Sequence, residues 1–316
     1  MADMKKKATR ESYGEALVEL AQTNDKIVVF DADLAKATKT DLFKKACPER
    51  FFDCGIAEGN MMVTAAGMST CGYVPFVSTF AMFAAGRAFE MVRNSIGYPH
   101  LNVKIGATHA GVSVGEDGAT HQCNEDIALM RAIPGMTVIN PADDVEARAV
   151  VKAAAEYVGP VYLRFGRLGV PVFNDPDTYE FHWGKGVTLR DGSDVTIVAT
   201  GLLVWEAVKA AEQLAAEGIS ARVINIHTIK PLDEELIQKA ARETGVLVTA
   251  EEHSIIGGLG SAVLDAISET CPVPVVRIGI KDQFGHSGKG AELLEEFGLC
   301  ASNIVAETKR ALTLKK

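Results

Sequence analysis

The sequence predicts an α/β fold with two domains, each a mostly parallel sheet flanked by helices. Short apolar runs that are typical of buried parallel strands alternate along the chain with longer stretches of helical periodicity. A stretch over 171–191 with several proline, aspartate and glycine residues interrupts this alternation and is typical of a linker. We therefore expect one domain over 1–170 and a second over 192–316, since 316 residues suffice for two cores.

In the first domain, the apolar periodicity predicts a helix from Thr9 to about Ala21 and a buried strand over 27–30. Another helix is expected over 143–157, because a Pro-Ala-Asp-Asp start suits a helix N-terminus. Three further strand-like runs lie at 101–105, 136–139 and 161–165.

Strands and helices alternate more regularly after the linker. The expected strands are 195–199, 221–226, 246–250 and 273–278. The expected helices are 202–216, 233–243, 259–269 and a last one from about 302. No sequence repeat relates the two halves.

Composition argues against several classes of function. A formal net charge of -9 disfavours a nucleic-acid-binding surface. No run approaches the length of a membrane span, and the basic start at 5–7 lacks the apolar region of a signal peptide. Six scattered cysteines without a C-x-x-C pair are typical of reduced thiols, so we expect a cytoplasmic protein.

The segment 108–122 reads T-H-A-G-V-S-V-G-E-D-G-A-T-H-Q and combines histidines and acids with three glycines. Glycines let a backbone turn and approach a ligand closely, and His109 and His121 can move protons near neutral pH. Because the segment follows a strand-like run, we expect it to leave the edge of a sheet, where α/β proteins bind ligands. The alternative is a surface loop whose histidines have no role.

Two features upstream of this segment have ordinary structural explanations. Glu58 stands between a strand-like run and a small-residue helix. An acid at the start of a helix is stabilised by the helix dipole. Phe80 and Phe83 are close enough in sequence to share a helical face. Such a pair usually packs in a core and more rarely forms a platform for a heterocycle.

A second glycine-rich segment, G-G-L-G-S over 257–261, opens a helix soon after a strand. Free amide groups at a helix start can bind a phosphate. The segment lacks the G-x-G-x-x-G pattern, however, and Glu251 and Glu252 just before it would repel an anion. We interpret it as a closely packed helix start.

Glu58, the Phe80/Phe83 pair and the string G-E-D-G-A-T-H-Q, in this order and spacing, resemble the transketolase superfamily of thiamine diphosphate enzymes. The resemblance covers essentially the whole chain, but only the pyrimidine-binding and C-terminal domains of a full-length transketolase. It implies that Glu58 hydrogen-bonds the aminopyrimidine ring and so helps to deprotonate the thiazolium C2 carbon. It also implies that Phe80 and Phe83 stack on that ring, and that Asp33 contacts the cofactor.

The same resemblance implies roles toward a sugar substrate. His121 would contact the reacting carbonyl and hydroxyl of the donor as a catalytic residue, and Asp117 would bind the hydroxyl on the C2 side. His109 would lie near the phosphate end. Arg10 and Arg167 match the phosphate-binding arginines of the family, where a planar guanidinium gives bidentate bonds.

Several residues distinguish the chain from relatives within the superfamily. Deoxyxylulose-phosphate synthases usually carry arginine in place of His109 and alanine in place of Glu116, and 2-oxo acid dehydrogenase β subunits lack the string D-G-x-T-H-Q. The chain also departs from transketolases. The phosphate-contacting serine falls near Ala37 and Thr38, and Gly86 replaces a tyrosine of the aromatic pocket. The string E-E-H-S-I-I-G-G-L-G-S is closer to the synthases.

The sequence contains no G-D-G…N segment, which binds Mg²⁺ and the diphosphate in these enzymes, and no cluster with metal-ligand spacing. The resemblance therefore implies the C-terminal subunit of a split transketolase. Its N-terminal partner subunit would hold the diphosphate and Mg²⁺ in an α₂β₂ assembly that contains a β–β dimer. The reaction would transfer a two-carbon ketol unit from a ketose phosphate to an aldose phosphate. The alternatives are a deoxyxylulose-phosphate-synthase-like or specialised sugar transketolase subunit, and a non-catalytic subunit that kept the fold.

Overall fold

The computed structural model describes residues 4–315 and contains two mostly parallel sheets flanked by helices, which confirms the expected fold class. The strands are β1 (Lys6–Ala8), β2 (Ile27–Asp31), β3 (Phe51–Asp53), β4 (Val74–Phe80), β5 (Lys104–Thr108), β6 (Thr137–Ile139), β7 (Val161–Arg164), β8 (Gly169–Pro171), β9 (Val187–Arg190), β10 (Val195–Ala199), β11 (Ala221–Asn225), β12 (Thr228–Lys230), β13 (Leu247–Ser254) and β14 (Val275–Ile280). The helices are α1 (Thr9–Thr23), α2 (Ala35–Thr38), α3 (Asp41–Ala46), α4 (Glu58–Thr70), α5 (Phe89–Met91), α6 (Asp126–Arg131), α7 (Asp144–Glu156), α8 (Leu203–Ala216), α9 (Glu234–Thr244), α10 (Leu259–Ser268), α11 (Gly290–Glu296) and α12 (Ala301–Leu312).

The larger sheet has seven strands in the order β12-β6-β7-β5-β4-β2-β3, all parallel except the edge pair β12–β6. The smaller sheet has the order β14-β13-β10-β11-β9, with β9 antiparallel. Strand β9 lies in the expected linker yet joins the second sheet, whereas β12 comes from the expected second domain and joins the first. The domain boundaries at 170 and 192 stay a prediction.

Strand β4 was not expected from the sequence, because Ser78 and Thr79 interrupt its apolar run. The strand is buried and pairs with β2 and β5 on its two sides. The hydroxyl of Tyr13, on α1, lies 2.6 Å from Ser78 Oγ, so the buried serine has its hydrogen-bond partner. Helix α11 is also additional to the expected elements, and β5 begins three residues later than the apolar run suggested.

The start of α7 follows the sequence expectation. Asp143 caps this helix, since its Oδ1 accepts a hydrogen bond of 2.9 Å from the N–H of Glu146. The other carboxylate oxygen of Asp143 accepts from the N–H groups of Phe173 and Asn174 at 3.0 and 2.8 Å. The cap therefore also fixes the chain that leaves the first sheet.

The carboxyl ends of four neighbouring strands, β5, β4, β2 and β3, lie along one edge of the larger sheet. Phe80 ends β4, Thr108 ends β5, and Glu58 begins α4 shortly after β3. Ligands of open α/β sheets bind at this edge, so the topology gathers the candidate residues there. Within residues 4–315, none of the helices has the length and apolar character that crossing a membrane requires.

Candidate functional site

The candidate site contains four aromatic rings that lie against one another, those of Phe80, Phe83, His109 and His121. The rings of Phe80 and Phe83 are stacked, with centroids 5.7 Å apart and planes 16° apart. His109 stacks on Phe80 at 3.8 Å, and His121 meets Phe83 edge-on at 5.4 Å. The segment 108–122 therefore brings both of its histidines against the phenylalanine pair.

The expectation that Phe80 and Phe83 share a helical face is wrong. Phe80 is the last residue of β4, whereas Phe83 lies in the π-helical turn Met82–Arg87 that follows. The rings stack because the chain passes from strand to helix directly after Phe80. Gly86, where the resemblance leads us to expect a tyrosine, faces Met82: an added Cβ would lie 2.3 Å from Met82 Cε.

Glu58 is a buried carboxylate with a half-exposed partner. Its side chain is 2% exposed, and both its oxygens accept from Arg87 Nη1, at 3.0 and 3.1 Å. The Arg87 side chain is 54% exposed, and its guanidinium carbon lies 4.7 Å from the centroid of the Phe83 ring. A buried carboxylate needs such a partner. The contact shows that a planar group bearing N–H donors fits against Glu58 and Phe83 together.

His109 is neutral in this structure. Arg10 Nη1 donates to its Nε2 at 3.0 Å, so Nδ1 carries the proton and lies 2.9 Å from Thr108 Oγ1. Burial lowers the pKa of His109 to about 3, and the charges of Arg10 and Arg167 act in the same direction. The imidazole therefore serves as a fixed, uncharged hydrogen-bonding group.

Arg10 and Arg167 bind different parts of the site. Arg10 Nη1 also donates to the carbonyl of Ala37 at 2.9 Å. Arg167 Nη1 donates to the carbonyl of Val114 and, at 3.1 Å, to Glu116 Oε2. Asp117 Oδ2 lies 3.9 Å from the same nitrogen. The acids of the segment 108–122 thus keep Arg167 beside the loop.

Asp33 lies in other surroundings. Its N–H donates to Asp53 Oδ1 at 3.1 Å, and it lines a cavity of about 640 Å³ together with Ala37 and Lys44. Thr38, near the position of the family's phosphate-contacting serine, donates its buried hydroxyl to Asp31 Oδ2 at 2.7 Å. Thr38 is therefore committed to the fold.

Sequence reasoning missed Arg87 and assigned no contact to Gln122 or Glu252. Arg87 follows Phe83 by four residues, the spacing of neighbours on a helix, and this was the available signal. Gln122 Nε2 lies 2.9 Å from the carbonyl of His286 and 3.2 Å from that of Val112. No local pattern marks these contacts, because one joins residues 164 positions apart and the other depends on how the loop itself folds.

The interpretation of 257–261 as a closely packed helix start is confirmed. The N–H groups of Leu259 and Gly260 donate to the carboxylate of Glu251 at 2.6 and 2.8 Å. An added Cβ at Gly258 would lie 2.0 Å from Glu251 Oε2. The chain's own carboxylate occupies the amide groups that a phosphate would need.

Comparisons with known proteins agree with this arrangement. Residues 5–172 match the family described as transketolase, pyrimidine binding domain, and residues 184–304 match transketolase, C-terminal domain. A putative transketolase C-terminal section from Methanocaldococcus jannaschii is 50% identical over 310 residues, which cover 96% of this chain and 97% of that protein. A 6-deoxy-6-sulfo-D-fructose transketolase subunit from a Clostridium species is 45% identical, covering 94% of this chain and 92% of that protein.

A solved structure described as a split gene transketolase, inactive beta4 tetramer, is 57% identical. It superposes with a TM-score of 0.90 and covers 98% of this chain and 99% of that one. The two matched domains imply thiamine diphosphate as the cofactor and support a transferase role. Both the site and the similarity over nearly the full length lead to one conclusion: the chain belongs to the transketolase family.

Proposed function

We propose that the chain is the C-terminal subunit of a split transketolase that moves a two-carbon ketol unit from a ketose phosphate to an aldose phosphate. The observation that carries this proposal is the buried Glu58 beside the stacked Phe80–Phe83 pair, with His109 and His121 against the same rings. When bound, thiamine diphosphate supplies an electron sink for the charge that forms as the donor's carbon–carbon bond breaks.

Glu58 holds a proton toward the pyrimidine ring nitrogen in this proposal, while Phe80 and Phe83 bind the face of the ring. Arg87 must then leave Glu58, because its Nη1 now donates to both of the carboxylate oxygens that the pyrimidine would contact. The Arg87 side chain is half exposed, so it has a path into solvent.

The sugar binds along the segment 108–122. His121 and Asp117 contact the reacting end of the donor, and neutral His109 lies toward its phosphate together with Arg10 and Arg167. Among the residues that the structure describes, Arg10 Nε is buried and finds no acceptor. This free donor supports binding of a substrate oxygen next to His109.

The diphosphate and Mg²⁺ belong to an N-terminal partner subunit in this proposal, and the assembly is α₂β₂ with a β–β contact. Two observations support the division. The relative that this chain covers almost completely is itself named a C-terminal section, and the solved relative is described as an inactive tetramer of β chains. All six cysteines are free thiols, in keeping with a cytoplasmic assembly.

Reconstitution tests the proposal. We expect negligible transfer from xylulose 5-phosphate to ribose 5-phosphate by this chain alone and robust transfer after mixing with an N-terminal subunit that carries G-D-G…N. Native mass measurements should then give α₂β₂. Robust activity without a partner would contradict the split enzyme, and no turnover with it would favour a non-catalytic subunit.

A specialised sugar transketolase is the second candidate, because one relative is named for a sulfonated fructose and Thr38 is committed to Asp31. Donor competition separates the possibilities. A higher kcat/KM with 6-deoxy-6-sulfo-D-fructose than with xylulose 5-phosphate would favour the specialised enzyme. Turnover of pyruvate with glyceraldehyde 3-phosphate would favour a synthase.

A further inference from the structure

Residues of the expected second domain form hydrogen bonds with the substrate loop, which we define as residues 108–122. The N–H of Ser113 donates to Glu252 Oε1 at 2.7 Å, near the start of the loop. Gln122 Nε2 donates to the carbonyl of His286 at 2.9 Å, at its end. The loop that carries the sugar-facing histidines is therefore held at both ends by residues more than a hundred positions away in sequence.

Glu252 is built into this contact. Its side chain is buried, and Arg164 Nη2 donates to its backbone carbonyl at 2.9 Å, which fixes the end of β13. Gly111 makes room for its carboxylate, since a Cβ there would lie 2.3 Å from Glu252 Oε1. Gly111 also has φ +80°, a conformation that other residues rarely adopt. The missing side chain of Gly111 thus leaves the space that the Glu252 carboxylate occupies, and the positive φ favours glycine at this position.

We propose that Glu252 is a positioning residue for ketol transfer: its carboxylate fixes the backbone at Ser113 and so holds the substrate loop against the phenylalanine pair. This inference rests on the proposed function. His109 lies four residues before the anchored N–H, and its ring is 3.8 Å from the ring of Phe80. Misplacement of a reacting group by about 1 Å can reduce a rate about a hundredfold. Loss of the hydrogen bond between Glu252 and Ser113 should therefore slow the reaction of the bound sugar.

Glu251 provides a matched control one position away. Neighbouring residues of a strand point to opposite faces, and the two carboxylates bind different elements. Glu251 accepts from the start of α10, at Leu259 and Gly260, whereas Glu252 accepts from Ser113. Both are buried. Substitution of either one removes a buried carboxyl group, but only Glu252 touches the loop.

Kinetics of the complex reconstituted with its N-terminal partner form the first arm of the test. We expect Glu252→Ala and the shortened Glu252→Asp to lower kcat/KM for the donor by about tenfold to a hundredfold. Glu252→Gln should retain most activity, because its amide oxygen still accepts from Ser113. Glu251→Ala should keep kcat/KM within about twofold once its folding is verified by thermal melting. Equal effects of Glu251→Ala and the two Glu252 variants would overturn the inference.

Hydrogen–deuterium exchange on the chain alone forms the second arm and requires no activity. In Glu252→Ala the amides of 112–118 should exchange at least several-fold faster, whereas in Glu251→Ala the faster exchange should lie at 259–260. Unchanged exchange at Ser113 in Glu252→Ala would overturn the inference. If the wild-type complex fails to transfer a ketol unit, the proposed function fails, and this arm still decides whether Glu252 holds the loop.

Discussion

Two buried glutamates near helix starts, Glu58 and Glu251, are held in opposite ways. Glu58 begins α4 and is bound by the half-exposed side chain of Arg87. Glu251 is bound by two backbone N–H groups at the start of α10. A side-chain partner that is exposed can rotate into solvent, whereas backbone N–H groups stay where the start of the helix places them. A buried acid is therefore available to a ligand when its partner is exchangeable, and structural when its partner is the backbone.

The largest expected effect is a difference in the rate of ketol transfer when each of the two glutamates is replaced by glutamine. Glu58→Gln should reduce ketol transfer by the reconstituted complex by about 10²–10⁴-fold, the usual contribution of a group that exchanges a proton. Glu251→Gln should leave the rate within about threefold, because this side chain only caps a helix. Initial rates at saturating cofactor measure both, with circular dichroism to verify folding. Equal losses in the two variants would remove the distinction.

The distinction between an exchangeable partner and a fixed, buried one extends to two arginines three positions apart. Arg164 is 3% exposed and its Nε donates to buried Asp126 at 2.8 Å, whereas Arg167 is 35% exposed and pairs with exposed Glu116. Arg167→Ala should raise the KM for a phosphorylated donor about tenfold to a hundredfold, as expected when a charged hydrogen bond of about 1.5–3 kcal/mol is lost.

The stability of Arg167→Ala should stay close to that of the wild type. Arg164→Ala should lower the free energy of unfolding by about 3–5 kcal/mol, because it leaves Asp126 as a buried unpaired charge. Urea titration measures the loss of stability in Arg164→Ala. A ketol donor without phosphate is the control for the rise in KM in Arg167→Ala. If the KM for that donor rises as much as the KM for the phosphorylated one, Arg167 does not bind phosphate.

Local patterns predicted most of the strands and helices, whereas the candidate site residues were singled out by the family resemblance, and their partners in the fold were not predicted. Glu58 could be singled out by its place between a strand-like run and a helix together with that resemblance. Arg87 meets it across 29 positions and only through a π-helical turn, and Ser113 meets Glu252 across 139. Strand β4 escaped for a related reason: Ser78 is polar in sequence, and its partner Tyr13 is 65 positions away. Periodicity reports local structure, whereas these contacts depend on the assembled sheets.

Removal of the exchangeable partner should have a smaller effect than removal of the acid. Arg87→Ala leaves buried Glu58 without its partner until the pyrimidine binds, so thiamine diphosphate should bind the complex at least about fivefold more tightly. Calorimetric titration measures this affinity. Arg93→Ala, which removes the same charge from an exposed position nearby, should leave it unchanged. Weaker binding in Arg87→Ala would mean that Arg87 holds the cofactor.

The smallest expected effect is the pH dependence of stability that arises from Glu251. Burial raises the pKa of Glu251 to about 7 from its ordinary value near 4.5. Between these values the folded chain binds more protons at this site than the unfolded chain, so the contribution of Glu251 to stability falls as pH rises through this window. Glutamine cannot titrate, and Glu251→Gln should therefore gain stability relative to the wild type between pH 5 and pH 8.

Urea unfolding of both proteins at several pH values between 5 and 8 measures this relative change, and the loss of one backbone hydrogen bond in the variant adds only a constant offset. Burial lowers the pKa of nearby His253, whose Nδ1 lies 3.7 Å from Glu251 Oε2, to about 4, so this histidine is neutral in the folded chain between pH 5 and pH 8. Its titration in the unfolded chain is the same in both proteins. Glu212→Gln, at an exposed position of α8, controls for the loss of a charge. A difference that stays constant with pH would mean that Glu251 tolerates its charge as readily in the fold as in water. The N–H groups at the start of α10 would then offset the whole cost of burying that charge.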